Sequence, residues 1–391
     1  MDAEAARLAT SPQTLSLLAS LPPYEGDQAL TLAQHLRDRG ADADVVSAAL
    51  TQSRLRAAAR AKFGDFAAGM LFSPEGLEQS TRLVVAAHHA QRYRSAGVRT
   101  VADLTCGLGA DAMAFASLGL GVLAFELDEA TALLAFHNLR HWDDARVVHA
   151  DAMETLARGD IDVDALFADP ARRNAHGRRH DPRDYAPPLS DVVALRTRWP
   201  LVGIKVGPGI AHEDVPQDAE AQWVSVDGDV VEAGLWMGGL ARHHEHSALV
   251  LRGTEAHVLD GSPVPGEPGP IGAYLLEPDG AVIRAGLVGP LAERLGARLL
   301  DPHIAYLTAD THIASPFATS FRIVESLPYS DKRLASALAA RGVGTAEIKK
   351  RGLDVDPAVL RRKLKLKGDA SATVILTRIG ESRVAFIAER V

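Results

Sequence analysis

Apolar positions over residues 1 to about 85 recur at helical spacing: Leu15 and Leu18; Ala29, Leu32, Ala33 and Leu36; Val45, Val46, Ala49 and Leu50. Residues three and four apart share one face of a helix, so the pattern predicts a helical domain over 1–85, broken at Pro22-Pro23 and at Gly40. Ser73 and Pro74 suit a helix N-cap and first turn, and the stripe Leu83, Val84, Ala87 is expected to pack into a core. Between 86 and about 255 the pattern changes to short apolar runs separated by helical stretches. The runs are Val101 to Leu104, Val122 to Phe125, Arg146 to Ala150, Ala165 to Ala168, Leu201 to Val206, Ala221 to Val226 and Ser247 to Leu251. Such alternation predicts an α/β domain with a doubly wound, Rossmann-like sheet.

The proline- and glycine-rich stretch Ser262 to Pro270 reads as a linker. Residues 271–318 follow as a short mixed segment, whose clearest element is a helix around Ala281 to Leu295. The tail, 319–391, reads as a small α+β domain of order β-α-β-α-β-β. Its expected elements are strand Phe321 to Glu325, helix Asp331 to Arg341 between Ser330 and Gly342, and strand Thr345 to Lys350. Helix Pro357 to Lys367 and strands Thr373 to Arg378 and Arg383 to Ala388 complete it.

Composition narrows the classes. Of 391 residues 47% are apolar and 24% charged, and no run approaches the roughly 18 consecutive apolar residues of a membrane span, so a soluble globular protein is expected. The N-terminus lacks a basic flank before an apolar core, and the single Cys106 leaves no internal disulfide and no thiolate metal cluster within one chain. A cytoplasmic monomer without metal is the expectation. The net charge of −8 is unevenly spread: residues 321–391 hold 15 Lys and Arg against 8 Asp and Glu, or +7, which leaves 27 against 42, or −15, for the rest. A basic module on an acidic body points to a polyanionic partner.

The candidate chemistry begins at VADLTCGLGADAMAFASLGLGVLAFE, Val101 to Glu126. Here a strand, a glycine turn, a helix and a second strand ending in an acid follow one another. Gly107 and Gly109 allow a tight turn at a helix N-terminus, and Glu126, 19 residues after Gly107, can accept hydrogen bonds from both hydroxyls of a ribose. Gly107, Gly109 and Ala112 also satisfy the dinucleotide spacing. The distinction comes from the next strand ends, where Asp103 precedes the turn, Asp151 follows the third run and Asp169-Pro170-Ala171-Arg172 follows the fourth. An acid at 103 repels a pyrophosphate and attracts an ammonium group, which favours S-adenosylmethionine.

The segment DLTCGLG resembles the first motif of class I S-adenosylmethionine-dependent methyltransferases, with Thr105 in place of the first glycine. The resemblance implies that Asp103, Thr105, Gly107 and Gly109 hold the methionine part, Glu126 the ribose, and Asp151 with Ala152 the adenine. Asp128 and Asn138 match a recurrent pattern in the following helix. Upstream, FSPEGLEQSTRLVVAAHHA resembles the segment before the first motif in RNA cap trimethylguanosine synthases. The D-P-A-R-R motif and the tail resemble a bacterial methyltransferase family with a C-terminal THUMP-like domain, a pattern that by itself fixes no substrate. THUMP-like domains accompany RNA-modifying enzymes, so the resemblances taken together imply methylation of a base nitrogen in RNA, rRNA or tRNA. The family also suggests a ferredoxin-like unit over 271–318.

Asp169-Pro170 also resemble the start of the D-P-P-aromatic motif of amino-directed methyltransferases, which implies that they hold the acceptor amine. Ala171 and Arg172 depart from that motif's proline and aromatic, so the base would stack on Arg172 or on Phe63, Phe66 or Phe72. Arg173, Arg178, Arg179 and Arg183, with Lys205 at the next strand end, are candidates for the substrate backbone. Lys349, Lys350, Arg351, Arg361, Arg362, Lys363, Lys365 and Lys367 in the tail are candidates for RNA phosphate. His243, His244 and His246 read as solvated. Alternatives are a catalytically silent cofactor- or RNA-binding module and a small-molecule or protein methyltransferase.

Overall fold

The computed structural model describes residues 1–159, 161–170, 173–174, 177–178, 184–242 and 245–391. They form two compact units. One comprises Met1–Val206, His212–Ala219 and Leu235–Arg242, and the other Gly207–Ala211, Glu220–Gly234 and His243–Val391.

The first unit opens with helices at Ala3–Ala9, Pro12–Ser20, Ala29–Asp38 and Ala43–Phe63. Three of them start on a side chain that accepts a backbone N–H: Asp2 from Ala5, Ser11 from Thr14, and Asp42 from Asp44 and Val45. The breaks fall where the sequence places them, the second helix ending at Ser20 before the proline pair and Gly40 taking φ 88° after the third. A 3₁₀ turn, Gly64–Gly69, leads to helix Pro74–Gln79, where the Ser73 hydroxyl accepts the Gly76 N–H at 3.0 Å. Helix Leu83–Ser95 comes next. It buries Val85, Ala86, His89, Ala90 and Tyr93, whereas Val84 and Ala87 face solvent. The expected stripe is thus corrected by about one residue of phase. Two buried polar contacts fix that phase, His89 on Asp111 and the Tyr93 hydroxyl donating to the Leu166 carbonyl at 2.6 Å.

The sheet of this unit consists of β1 (Thr100–Asp103), β2 (Gly121–Glu126), β3 (Ala145–His149), β4 (Ala165–Ala168) and β5 (Leu201–Val206) in the order β5-β4-β1-β2-β3, all parallel. Val101 to Asp103 and all of β4 are buried, as a central parallel strand requires. Helices Ala110–Ser117, Glu129–Leu139 and Ala152–Arg158 supply the crossovers. Tyr93, Phe115, Phe167 and Trp236 interlock edge to face above the strands.

β7 (Asp229–Trp236) begins in the second unit and ends in the first, where Met237 N–H donates to the Val202 carbonyl of β5 at 3.0 Å. In the second unit β6 (Glu220–Val226) precedes β7 across Asp227-Gly228, both at positive φ, and runs parallel to β8 (His246–Arg252). β8 pairs antiparallel with β9 (Glu255–Gly261). A seven-stranded sheet follows, made of β10 (Tyr274–Pro278), β11 (Arg298–Asp301), β12 (Ile304–Ala309), β13 (Ala318–Pro328), β14 (Val343–Lys350), β15 (Ala370–Ile379) and β16 (Ser382–Arg390). Its order is β11-β12-β10-β13-β16-β15-β14. β10 pairs with β13 from Tyr274–Arg322 to Pro278–Ala318, so residues 274–309 and 318–390 share one sheet across the expected boundary.

Two expected helices are corrected. Ala281 to Leu295 is two helices, Gly280–Arg284 and Val288–Leu295, because Gly286 turns at φ 73° and Leu287 N–H closes back on the Val282 carbonyl. The helix from Pro357 stops at Leu364, since Lys365 is left-handed at φ 48°.

A Cβ at Gly203 of β5 would overlap the Tyr93 hydroxyl and lie 2.6 Å from Trp236 Cζ3. Gly203→Ala should therefore cost about 1–3 kcal/mol, read as a lower urea midpoint at unchanged m-value, and an unshifted midpoint refutes this packing.

Candidate active site

Three strand ends converge on the glycine turn. The Leu104 N–H donates to the Phe167 carbonyl and the Cys106 N–H to the Phe125 carbonyl, both at 2.8 Å, which carries the chain from β1 between β4 and β2. Gly107 and Gly109 then take φ 56° and 87°, values an L side chain resists, and Gly109 caps helix Ala110–Ser117. The Thr105 hydroxyl accepts the Asp169 N–H at 2.7 Å. A hydroxyl is what glycine could not supply there, and it locks the first motif to the fourth. The Gly107 N–H donates to Glu126 Oε2 at 3.0 Å, tying the turn to β2.

Asp103 is 1% exposed. One of its oxygens accepts the Thr105 N–H at 3.2 Å, and the other, Oδ2, has no hydrogen-bond partner. Burial, and then the charges of Asp111, Asp169 and Glu126, push its carboxyl well above the usual range, with the Thr105 N–H working the other way. Burial likewise raises Glu126, against the pull of the Asp128 and Gly107 N–H groups. The Ala150 N–H donates to the Glu126 carbonyl, bringing the third strand end alongside; Asp151 there caps helix Ala152–Arg158 and Ala152 is buried.

Lys205 departs from the expected substrate contact. Its side chain is 5% exposed, and Nζ lies 2.5 Å from Asp169 Oδ2 and donates to the Thr81 hydroxyl at 2.8 Å. Thr81 in turn donates to Asp111 Oδ2 at 2.7 Å, and His89 Nδ1 meets Asp111 Oδ1 at 2.8 Å. The reason is depth: β5 is buried from Val202 to Val206, so an ammonium there must find partners inside. Burial by itself would raise Asp111; the His89 hydrogen bond and charge, the Lys205 charge and the Thr81 hydroxyl outweigh it and hold the carboxyl low. Asp111, Asp169 and Glu126 thus act together on Asp103, and of these Lys205 offsets Asp169 and Asp111. That excess of negative charge, with an unpartnered Asp103 oxygen inside it, suits a ligand carrying both an ammonium and a sulfonium group.

Asp169 is 27% exposed at its side chain, and Pro170 after it is buried. Arg172, Arg179 and Arg183, together with Ala171, His243 and His244, lie outside the described residues. Arg173 and Arg178 fall in two paired two-residue strands. Phe63 and Phe72 are no stacking platforms, being 1% and 0% exposed and packed on each other at 5.5 Å; Phe66, 50% exposed, does reach solvent. His246 is buried rather than solvated, with Nδ1 2.7 Å from the Ala285 carbonyl. Cys106 is buried too, and burial raises its thiol. Among the described residues no group of His, Cys, Asp or Glu could hold a metal ion, and no helix is long and apolar enough to cross a membrane.

In the tail, Lys349 is held by Glu277 at 2.8 Å and Glu347 at 3.5 Å, and Lys363 by Asp331 at 3.2 Å. Lys350, Arg361 and Arg362 are exposed, and Arg361 and Lys365 line a groove of about 660 Å³ with Gly344, Glu347 and Leu366. Sequence reasoning missed Thr81, His89 and Asp111. A signal was present, for Asp111 is the one charged residue in the apolar helix ADAMAFAS. It also passed over Leu127, 68% exposed beside Glu126.

A parallel sheet whose first two strands end in acids around a glycine turn defines a nucleotide-cofactor enzyme of the α/β class. Two Mycobacterium tuberculosis proteins, from strains CDC 1551 / Oshkosh and ATCC 25618 / H37Rv, are each described as an uncharacterized S-adenosylmethionine-dependent methyltransferase. Each is 34% identical over 342 residues, covering 85% of this chain and 93% of its own. The chain belongs to this family of S-adenosylmethionine-dependent methyltransferases, and its cofactor is S-adenosylmethionine. A crystal structure of a methyltransferase candidate from Porphyromonas gingivalis W83 shares the fold, with a TM-score of 0.74 at 23% identity over 94% of this chain and 100% of that one. Residues 318–390 match a family described as THUMP domain-like, and residues 2–59 one described as a domain of unknown function.

Lys205→Met should lower stability at neutral pH by about 1–3 kcal/mol, less than a fully buried pair because Asp169 reaches solvent. The sign follows from Asp111: a depressed carboxyl contributes stability above its unfolded pKa and loses it as pH falls through the folded one. Removing Lys205 withdraws part of that contribution, so denaturation curves of the two proteins should converge below about pH 4. A pH-independent gap speaks against the ionic role.

Proposed function

We propose that this methyltransferase transfers the methyl group to a base nitrogen of RNA, with Asp169 holding the acceptor. The observation that carries the reading is the 2.7 Å bond from the Asp169 N–H to Thr105, which sets an acid at the acceptor strand end directly against the cofactor turn. Asp103 Oδ2 would take the ammonium of the methionine part, Glu126 the ribose hydroxyls, and exposed Leu127 with Ala152 and Asp151 the adenine side.

S-adenosylmethionine supplies a methyl group already activated on a sulfonium. The chain's task is alignment and exclusion of water, worth up to ~7–11 kcal/mol. Asp169 accepts an N–H of the acceptor amine and so turns the nitrogen lone pair toward the methyl. Lys205 at 2.5 Å holds that carboxylate in place, which suits it to orient the acceptor. The methylated nitrogen then loses its proton after transfer.

The RNA part of the reading rests on the THUMP-like tail, since such domains accompany RNA-modifying enzymes, and on its +7 charge. Arg361 and Lys365 in the groove, with the exposed Lys350 and Arg362, would meet phosphates.

Incubation with labelled S-adenosylmethionine and total RNA from cells lacking the protein should yield one methylated nucleoside by mass spectrometry. Asp169→Ala should abolish it while calorimetry shows cofactor binding unchanged, and Glu126→Ala should weaken that binding. Label appearing in protein or small molecules and not in RNA would overturn the substrate.

A pH effect on the cofactor follows as well. Asp103 is held protonated to higher pH than a usual carboxyl, and a bound ammonium favours its ionised form, so affinity should rise with pH as Asp103 loses its proton. Asp103→Asn should weaken binding and flatten that slope; a wild-type affinity that does not change with pH removes Asp103 from the site.

A further inference from the structure

We propose that Arg56, Arg140 and His137 form a binding site for a phosphate group on the first unit, apart from the cofactor turn and from the basic tail. Arg56 comes from helix Ala43–Phe63 and Arg140 from the end of helix Glu129–Leu139, and they converge on two consecutive carbonyls. Arg56 Nε donates to Met70 O at 2.8 Å, and Arg140 Nη1 to Gly69 O at 3.3 Å and to His137 O. These bonds pin the stems and use Nε of one guanidinium and Nη1 of the other. The remaining N–H groups of both forks have no carboxylate among the described residues.

His137, on which both arginines act, is 8% exposed, and its Nε2 is buried with no hydrogen-bond partner. A buried ring nitrogen without a partner is a cost that a bound oxygen would remove.

The local charges make the same point. Burial first, and then Arg140, lowers Arg56 to about 10. Burial, then Arg140 and Arg56, takes His137 down to about 4, against a pull from the Gly69 carbonyl and with His141 adding to the fall. Every charged group acting on these two is cationic, in a stretch of chain that carries −15 outside the tail. Capping two carbonyls explains each arginine alone and leaves their mutual repulsion without a counterion. A tetrahedral anion that accepts from the spare N–H groups of both guanidinium forks supplies that counterion, and its charge favours the protonated His137 ring, whose second N–H it then accepts while the first serves the Gly69 carbonyl.

Phe136, 68% exposed, stands four residues before Arg140 on the same helix face. An aromatic ring beside a phosphate contact suits a nucleotide, so the phosphodiester of a nucleic-acid strand is the fitting source, with free phosphate as the other.

The test uses the full-length protein and does not require methyl transfer. Inorganic phosphate, titrated against chloride at constant ionic strength, should raise the melting temperature. Arg140→Gln and Arg56→Gln should each weaken apparent binding about tenfold or more, and Arg140→Lys should restore part of it. Arg140 is exposed, so its variants keep the fold even where loss of the Met70 contact harms Arg56→Gln; circular dichroism separates the two.

A labelled single-stranded RNA oligonucleotide then distinguishes the sources. If the site holds RNA backbone, Arg140→Gln lowers the salt dependence of RNA binding by about one unit of slope. If it holds free phosphate, RNA binding is unchanged while the phosphate effect is lost. The site is refuted if neither inorganic phosphate nor RNA binding responds to either glutamine substitution. Because phosphate is probed alone, that failure leaves the RNA methylation reading standing, and failure of methylation leaves this site standing.

Discussion

The burial of Lys205 against Asp169 and the Thr81–Asp111 pair is the constraint on which the first unit turns. Lys205 sits at the end of a buried strand, and each neighbour that makes it tolerable comes from a different element: Asp169 follows β4, Thr81 precedes helix Leu83–Ser95, and Asp111 starts helix Ala110–Ser117. His89 closes the chain between the rings of Phe167 and Trp236, at 5.5 and 5.4 Å. Ion pairs of this depth contribute little net stability, but they penalise any arrangement that separates the partners. The network therefore selects one register among the helices, the sheet and the strand end that bears Asp169.

Much of this architecture was legible because parallel strands buried on both faces leave plain apolar runs. Each of the seven strand expectations from Val101 to Leu251 has a counterpart within about two residues. β7 and β9 were missed for a physical reason: DVVEAGLW carries a buried Glu232, and EAHVLDG buries only Leu259, so neither reads as an apolar run or a clean alternation. The Asp227-Gly228 pair before β7 was a turn signal, and both residues do adopt positive φ.

The site was legible in part. Asp103, Thr105, Gly107, Glu126 and Asp169 are all linked through the turn, as their spacing at successive strand ends suggested. What spacing could not convey was depth. Lys205 read as a contact for the substrate backbone, and Phe63 and Phe72 as stacking platforms, because a sequence gives no distance from solvent. Nor could it show that Lys349 is held by Glu277, a residue 72 positions earlier on a neighbouring segment of the same sheet.

Thr105 has a further consequence. Where glycine would leave the turn a wide choice of backbone states, a β-branched residue bonded to Asp169 leaves it few, and Glu126 narrows the choice again at Gly107. The loop is thus ordered when the chain folds rather than when the ligand arrives. Its conformational entropy has already been lost at that stage, and association needs little reorganisation of the turn.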